Sequence, residues 1–570
     1  MEASSMKMEA SPQPTTTSAA GAAQVPQSYF AFPPHAGLMY AHIALMVMGW
    51  VFVLPVGVVL SIAQSRFTMF VQLSFLVLNG LGVAVGTVYN KNTPDLYPNN
   101  VHHSLGWIVT WIACAQALIS LVGLYAKKFK NARNGESIEE RTAFIPVSEE
   151  AMAEHHRTHP VPARGYRWSN DSGQGSEIIS NSAAEERQLP DLREYRDDDE
   201  HVEEGEDAEK RGFLQNNAID RFLSRRFPSL LSARALRLLF LVRSVIDRFI
   251  LLLGFAALTS GAVTYGGIFR ENDIFNGMAH FVKGGIFFWY GLLTLGRWMG
   301  CFADFGWAWN IKPPAALVGR RAFRAPSAEF VESFVIFLYG STNVFMEHMA
   351  AWGHEWSAMD LEHVSISIMF FGGGLCGMLV ESRKIRDLLN TTILSTRPAQ
   401  FQSPFPGQAE SQLDPAWEAP SSYRTSMNPL PGLVILLLGL MMSSHHQDSM
   451  VSSMVHKQWG TLLVGFSFAR AATYILLYIS PPSSLLPSRP PSEMIAAFCL
   501  ISGGLMFMAS NRNTVQAMEA YGLDAMFIFT VVMGFTLFLM ALETIVIAIK
   551  GWAVRHEKGR TFSTFPSHPV

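Results

Sequence analysis

The chain is poor in cysteine and in charge. Four cysteines, Cys114, Cys301, Cys376 and Cys499, are spread over 570 residues, and no two form a CxxC pair. Each lies inside or at the end of an apolar segment, where a thiol behaves as a small buried hydrophobe. This speaks against a disulfide framework or a thiolate zinc site. Charged side chains make up only 16% of the residues. No basic stretch is interleaved with aromatics, so nucleic acid is set aside as a partner. The first 37 residues are rich in Ala, Ser, Thr, Pro and Gln and lack the compact apolar core of a cleavable leader. They read as a disordered tail, with the first helix acting as its own insertion signal.

What the chain does have is apolar length. Residues of the hydrophobic class make up 49%, with 40 Phe and 27 Met. The charges gather in a few stretches, leaving runs long enough to cross a bilayer, which takes roughly 20 residues as a helix. The expected fold is all-α: a multi-pass transmembrane helix bundle of about eleven spans with a disordered cytoplasmic linker. The spans lie near 38–62, 67–88, 104–126, 246–268, 279–301, 329–350, 363–381, 429–445, 456–480, 492–510 and 523–549. The eighth is short enough to be re-entrant.

Basic residues orient these spans. Lys127, Lys128, Lys130 and Arg133 follow the third, and Arg243 and Arg248 lead into the fourth. Lys312, Arg320, Arg321 and Arg324 follow the fifth; Arg383, Lys384 and Arg386 the seventh; Lys550, Arg555, Lys558 and Arg560 the eleventh. Eleven spans with the N-terminus outside put every group in the cytoplasm, together with the C-terminus. The sequons at Asn170 and Asn390 then fall in cytoplasmic loops, beyond glycosylation. The expected organisation is a tail (1–37), a three-helix membrane module (38–126), an acidic cytoplasmic linker (127–236), an eight-helix membrane module (237–552) and a cytoplasmic tail (553–570). The linker carries runs such as Asp197-Asp198-Asp199-Glu200, cannot bury a core, and is a candidate to recruit cytoplasmic partners.

With that topology His42, His102, His103, His280, His348, His354, His363, His445, His446 and His456 all fall on one side of the bilayer. Histidine is the commonest metal and haem ligand and titrates near neutral pH. A one-sided set points to redox, metal or proton chemistry near one surface.

Span one places His42 at the head of a helix, followed by Leu45-Met46, Gly49-Trp50 and Leu54-Pro55-x-Gly57. Span three opens with His102, Gly106 and, further along, Gln116. These features resemble cytochrome b561, a family of transmembrane haem-b electron carriers. The resemblance covers about three helices and implies one haem b held by His42 and His102, with His103 as a substitute. A haem between two histidines has no open coordination position, which suits electron transfer. The family's second haem is not provided for, because spans two and four contain no histidine. Without a cofactor, His42 and His102 read as hydrogen-bonded glue between helices.

The densest stretch, 332–382, places Glu347, His348, His354, Asp360, Glu362 and His363 around one outer loop. The next outer loop adds His445, His446, Asp448 and His456. His348, His354, Asp360, His363, His445, His446 and His456 form a candidate site for a divalent transition metal. Nitrogen and carboxylate ligands do not select among zinc, iron, copper, manganese and nickel. The three-helix module followed by this segment resembles the fungal Ytp family, and the pattern Glu347-His348, Asp360-x-x-His363, Glu381 resembles the transmembrane protein 45 family. His363 and His456 open spans seven and nine, repeating the first-and-third-helix arrangement. Deeper in the bilayer lie Arg470 and Glu543, which at that depth are expected to pair. Glu332 and Glu381 sit near inner span ends, in reach of water. The glycines of Gly372–Gly377 lie inside a span and read as close helix packing, not as a nucleotide loop. Three functions stay open: a haem- or metal-bearing redox protein, a transporter or sensor of divalent metal or protons, and a structural membrane protein that recruits partners.

Overall fold

The computed structural model describes residues 28–142, 233–271, 273–350, 355–396, 425–444, 447 and 449–563. The N-terminal tail, most of the linker and the C-terminal end, on which several of the expectations above rest, lie outside the described residues. Among the described residues the structure is helical throughout, without a strand.

Eleven helices of fifteen residues or more follow one another among the described residues: α1 Ala36–Ile62, α2 Thr68–Asn92, α3 Val101–Thr142, α4 Ala233–Gly266, α5 Asp273–Met299, α6 Ala328–Ala350, α7 Ala358–Glu381, α8 Leu430–Ser444, α9 Met450–Ile479, α10 Pro491–Ala509 and α11 Ala525–Ser563. Seven are long and apolar enough to cross a membrane: α1, α2, α3 over Val101–Leu124, α7 over Asp360–Glu381, α9, α10, and α11 over Ala525–Glu557. α8 is apolar but short. α4, α5 and α6 are helices where spans were expected, but they are not among the seven. Lys283 and Arg297 lie within the apolar run of α5, whereas Arg243, Asp247 and Arg248 precede the uncharged stretch 249–266 of α4, and Glu329 and Glu332 stand in the first turns of α6.

The described residues divide into two compact units. The larger holds 28–114 and 246–555. The smaller holds the described parts of 115–245 and 556–563, and in it the Phe240 ring lies so close to Gly123 that a Cβ there would come within 2.9 Å of it.

Within the larger unit one core gathers Trp50, Leu54 and Val58 of α1, Phe75 of α2, Val109 and Ala113 of α3, and Ile250 and Ala257 of α4. Helix α1 widens into a π-helical turn over Met48–Val53, just before Pro55. Proline has no N–H to give the preceding turn, and a π-turn is a usual accommodation. The turn carries Trp50, whose Nε1–H donates to Asn79 Oδ1 at 3.0 Å. Asn79 Nδ2 in turn donates to Thr110 Oγ1 at 3.1 Å. One buried polar chain thereby ties α1, α2 and α3 together.

A second core joins α5 to α11. Its seams are glycines, as membrane helices without a hydrophobic drive between them need close approach. A Cβ on Gly284 of α5 would come within 2.6 Å of Gly504 O of α10, and one on Gly439 of α8 within 2.7 Å of Gly460 O of α9. The glycine run 372–377 is used this way: Gly373 meets Val434, Gly374 the Phe337 backbone, and Gly377 Ser333. Helix starts are capped locally. Ser357 and Asp360 form a capping box on α7, and Ser449 caps α9 through Ser452 N–H.

Candidate functional site

The histidines that open α1 and α3 meet. His42 and His102 hold their ring centroids 6.3 Å apart with planes at 78°. Each Nδ1 is taken up. His42 Nδ1 lies 2.8 Å from Gly82 O on α2. A carbonyl can only accept, so this Nδ1 carries the proton. His102 Nδ1 lies 3.2 Å from Ser260 Oγ on α4, and Ser260 spends its own hydroxyl proton on Ala257 O at 2.8 Å. The His102 Nδ1 is therefore also the donor. In its neutral form each imidazole keeps its lone pair on Nε2, and a second hydrogen bond of this kind is what orients ligating histidines.

Glycines make room for both rings. A Cβ on Gly86 would sit 2.7 Å from His42 Nδ1, and one on Gly261 would sit 2.9 Å from His102 Cε1. Beyond the pair, toward the start of α1, lies a cavity of about 310 Å³ lined by Tyr29, Phe32, Pro33, Met39, Tyr40 and Tyr265. Two imidazoles sharing one metal, each nitrogen about 2.0–2.1 Å from it, hold their centroids roughly 6 Å apart. The observed spacing is close to that value, and with both Nδ1 atoms engaged the Nε2 atoms of His42 and His102 are the nitrogens that could hold a metal or haem iron. His103, the alternative ligand, is exposed, and its backbone N–H caps onto Asn100 Oδ1.

Only part of the C-terminal candidate set falls among residues whose side chains are described. His348 lies in the last turn of α6, and His354, His445 and His446 lie outside the described residues. Asp360 serves the α7 capping box, where Ser357 N–H donates to its Oδ2 at 2.9 Å. His363 is half-buried and His456 is buried. His456 faces His280 of α5 instead, with centroids 6.2 Å apart. As the side chains stand, no three His, Cys, Asp or Glu groups among the described residues are placed to hold a metal ion.

Arg470 does not pair with Glu543. Its Nε lies 2.8 Å from Glu493 Oε1 of α10, and its Nη1 lies 3.2 Å from Glu332 Oε2 of α6. The Glu332 side chain is only 8% exposed and is held between two arginines rather than facing water. Its other oxygen accepts from Arg297 Nη1 of α5 at 2.6 Å, and Arg297 Nη2 reaches Glu329 at 3.2 Å. Trp309 lies under the Arg297 guanidinium at 4.4 Å, and Arg297 Nε–H donates to Trp307 O. Glu543 faces α5, its Oε1 being 3.5 Å from where a Gly296 Cβ would be. The sequence placed Arg470 and Glu543 at one depth but could not say which way each helix is turned. Arg297, inside the apolar run Gly291–Gly300, and Glu493, just after Pro490-Pro491, were the unheeded signs of this network.

Residues 253–551 match the family described as Protein YTP1-like, C-terminal, and residues 23–126 match a domain of unknown function, DUF2427. An uncharacterized membrane protein of Schizosaccharomyces pombe is 33% identical over 518 residues, which is 90% of this chain and 94% of that protein. An uncharacterized membrane protein of Saccharomyces cerevisiae is 41% identical over 295 residues, covering 50% of this chain and 44% of its own length. Protein YTP1 of the same yeast is 24% identical over 206 residues, covering 36% of this chain and 35% of its own. With its apolar helices and this extent of matching, the chain is an integral membrane protein and belongs to the YTP1-like family.

Proposed function

We propose that this chain is a membrane electron carrier that holds one haem b between His42 and His102, near the outer or lumenal face of its bilayer. The observation that carries the reading is the facing pair, with centroids 6.3 Å apart and both Nδ1 atoms held by oxygen acceptors. The likeness of these helices to cytochrome b561 supports it, and so do the glycines against each ring. When bound, a haem held by two imidazoles exchanges single electrons without an open position for oxygen or substrate. The chain's own part is positional. Gly82 and Ser260 set the tautomers, Gly86 and Gly261 leave room for the rings, and the Trp50–Asn79–Thr110 chain holds three of the helices in register. The eleven-span path with an outside N-terminus and a cytoplasmic C-terminus belongs to the same reading.

The test is an absorption spectrum of the detergent-solubilised full-length protein. A Soret band that disappears in His42→Ala/His102→Ala is expected. A preparation without the band, or a band unchanged in that double variant, overturns the assignment.

A further inference from the structure

Away from the first pair, a second couple of imidazoles stands in nearly the same relation. His280 of α5 and His456 of α9 lie with centroids 6.2 Å apart and planes at 89°. His280 Nδ1 donates to Asn276 O at 2.8 Å, and His456 Nδ1 donates to Ser452 O at 2.9 Å. Each bond runs to a carbonyl one turn back, so each neutral ring carries its proton on Nδ1 and its lone pair on Nε2. Ligating histidines are usually fixed in this way.

The surroundings differ from those of the first pair. Phe507 stacks on His280 at 5.4 Å and meets Trp459 edge-on at 4.3 Å, while Trp459 lies 5.9 Å from His456. Four rings in mutual contact leave no slot for a porphyrin between them. They do surround the two imidazoles with apolar faces, where a metal–nitrogen bond does not compete with bulk water.

We propose that His280 and His456, completed by water, bind one bare transition-metal ion, separate from the haem centre. Neutral nitrogen ligands suit zinc, copper, iron or nickel rather than calcium or magnesium.

The experiment is zinc titration of the full-length, haem-loaded protein in detergent, read by metal analysis after dialysis and by melting temperature. One ion per chain is expected, with a rise in melting temperature that follows the free zinc concentration. His280→Ala/His456→Ala should lose both effects and keep the Soret band, whereas His42→Ala/His102→Ala should keep both effects. If the first double variant fails to fold, the single variants His280→Ala and His456→Ala should each bind zinc at least about tenfold more weakly, a size seen even for changes around a ligand. Three results overturn the proposal: no zinc retained by the wild-type chain, unchanged binding in His280→Ala/His456→Ala, or a second haem lost from that variant. None of them bears on the first pair, whose own test is its absorbance.

Discussion

Residues decide the chemistry here by what fixes them. His42 lies against Gly86 and His102 against Gly261, so these glycines have a job that a methyl group would spoil. Gly86→Ala should displace the His42 ring and cut haem content several-fold, read as Soret absorbance per protein, while Gly80→Ala, which meets nothing within 4 Å, should leave it unchanged. The buried ion network makes a second residue-scale prediction. Arg470 is 2% exposed and its partner Glu493 is 0% exposed, so neither charge is eased by water. Arg470→Met removes one partner and leaves the carboxylate uncompensated, which should cost about 3–5 kcal/mol. A large drop in melting temperature in detergent is the expected measurement, and a drop within a degree or two would show that the network contributes little.

Elements are held together by short polar ties across apolar faces. The π-turn before Pro55 aims Trp50 at Asn79, and Asn79 passes the connection to Thr110. Trp50→Phe keeps the ring but leaves the Asn79 carbonyl oxygen without its donor, at a cost of about 1–3 kcal/mol; chemical unfolding of the variant would measure it. The loop after α2 is clasped to the loop after α4. Tyr97 Oη donates to Ile268 O at 2.7 Å and Phe269 O at 2.9 Å, and Arg270 lies over the Tyr97 ring at 4.5 Å while donating to Leu96 O. Burial pushes the Tyr97 hydroxyl above its usual range, against a lowering pull from Arg270. The neutral phenol is the form that donates, so the clasp is complete at neutral pH and below. It is lost as pH rises past the ordinary tyrosine value toward the raised one. Melting temperature should be flat through neutrality as far as this clasp is concerned, and its alkaline fall should be smaller in Tyr97→Phe than in the wild type.

For the whole molecule, the open question is the path of the chain through the bilayer. Seven helices meet the length and hydropathy expected of spans, and α4, α5 and α6 are not among them. If all eleven long helices cross, the termini lie on opposite sides. A glycosylation acceptor added before α1 should then be modified and one added after α11 should not, while native Asn170 and Asn390 stay bare. Electrophoretic mobility before and after glycosidase treatment reads this directly. Modification at both ends, or at neither, would exclude the odd count.

Apolar periods of bilayer length were legible without any tertiary information, because a membrane helix must be apolar along its whole exposed face. So were the early positions of His42 and His102 in their helices, the packing role of the Gly372–Gly377 run, and the likeness to the Ytp family, carried by the three-helix module followed by the 332–382 segment. What stayed hidden was azimuth. A sequence reports how deep a side chain lies, but the face it presents depends on how each helix is rotated against its neighbours, and glycine seams set that rotation. Hence Arg470 meets Glu332 and Glu493 rather than Glu543, and His456 meets His280 across α5 and α9. Asp360, legible as a ligand type, is used by its own helix cap. The sequence alone determined a helical membrane protein with histidines at helix ends; only the packing of those helices decided which histidines and charges face each other.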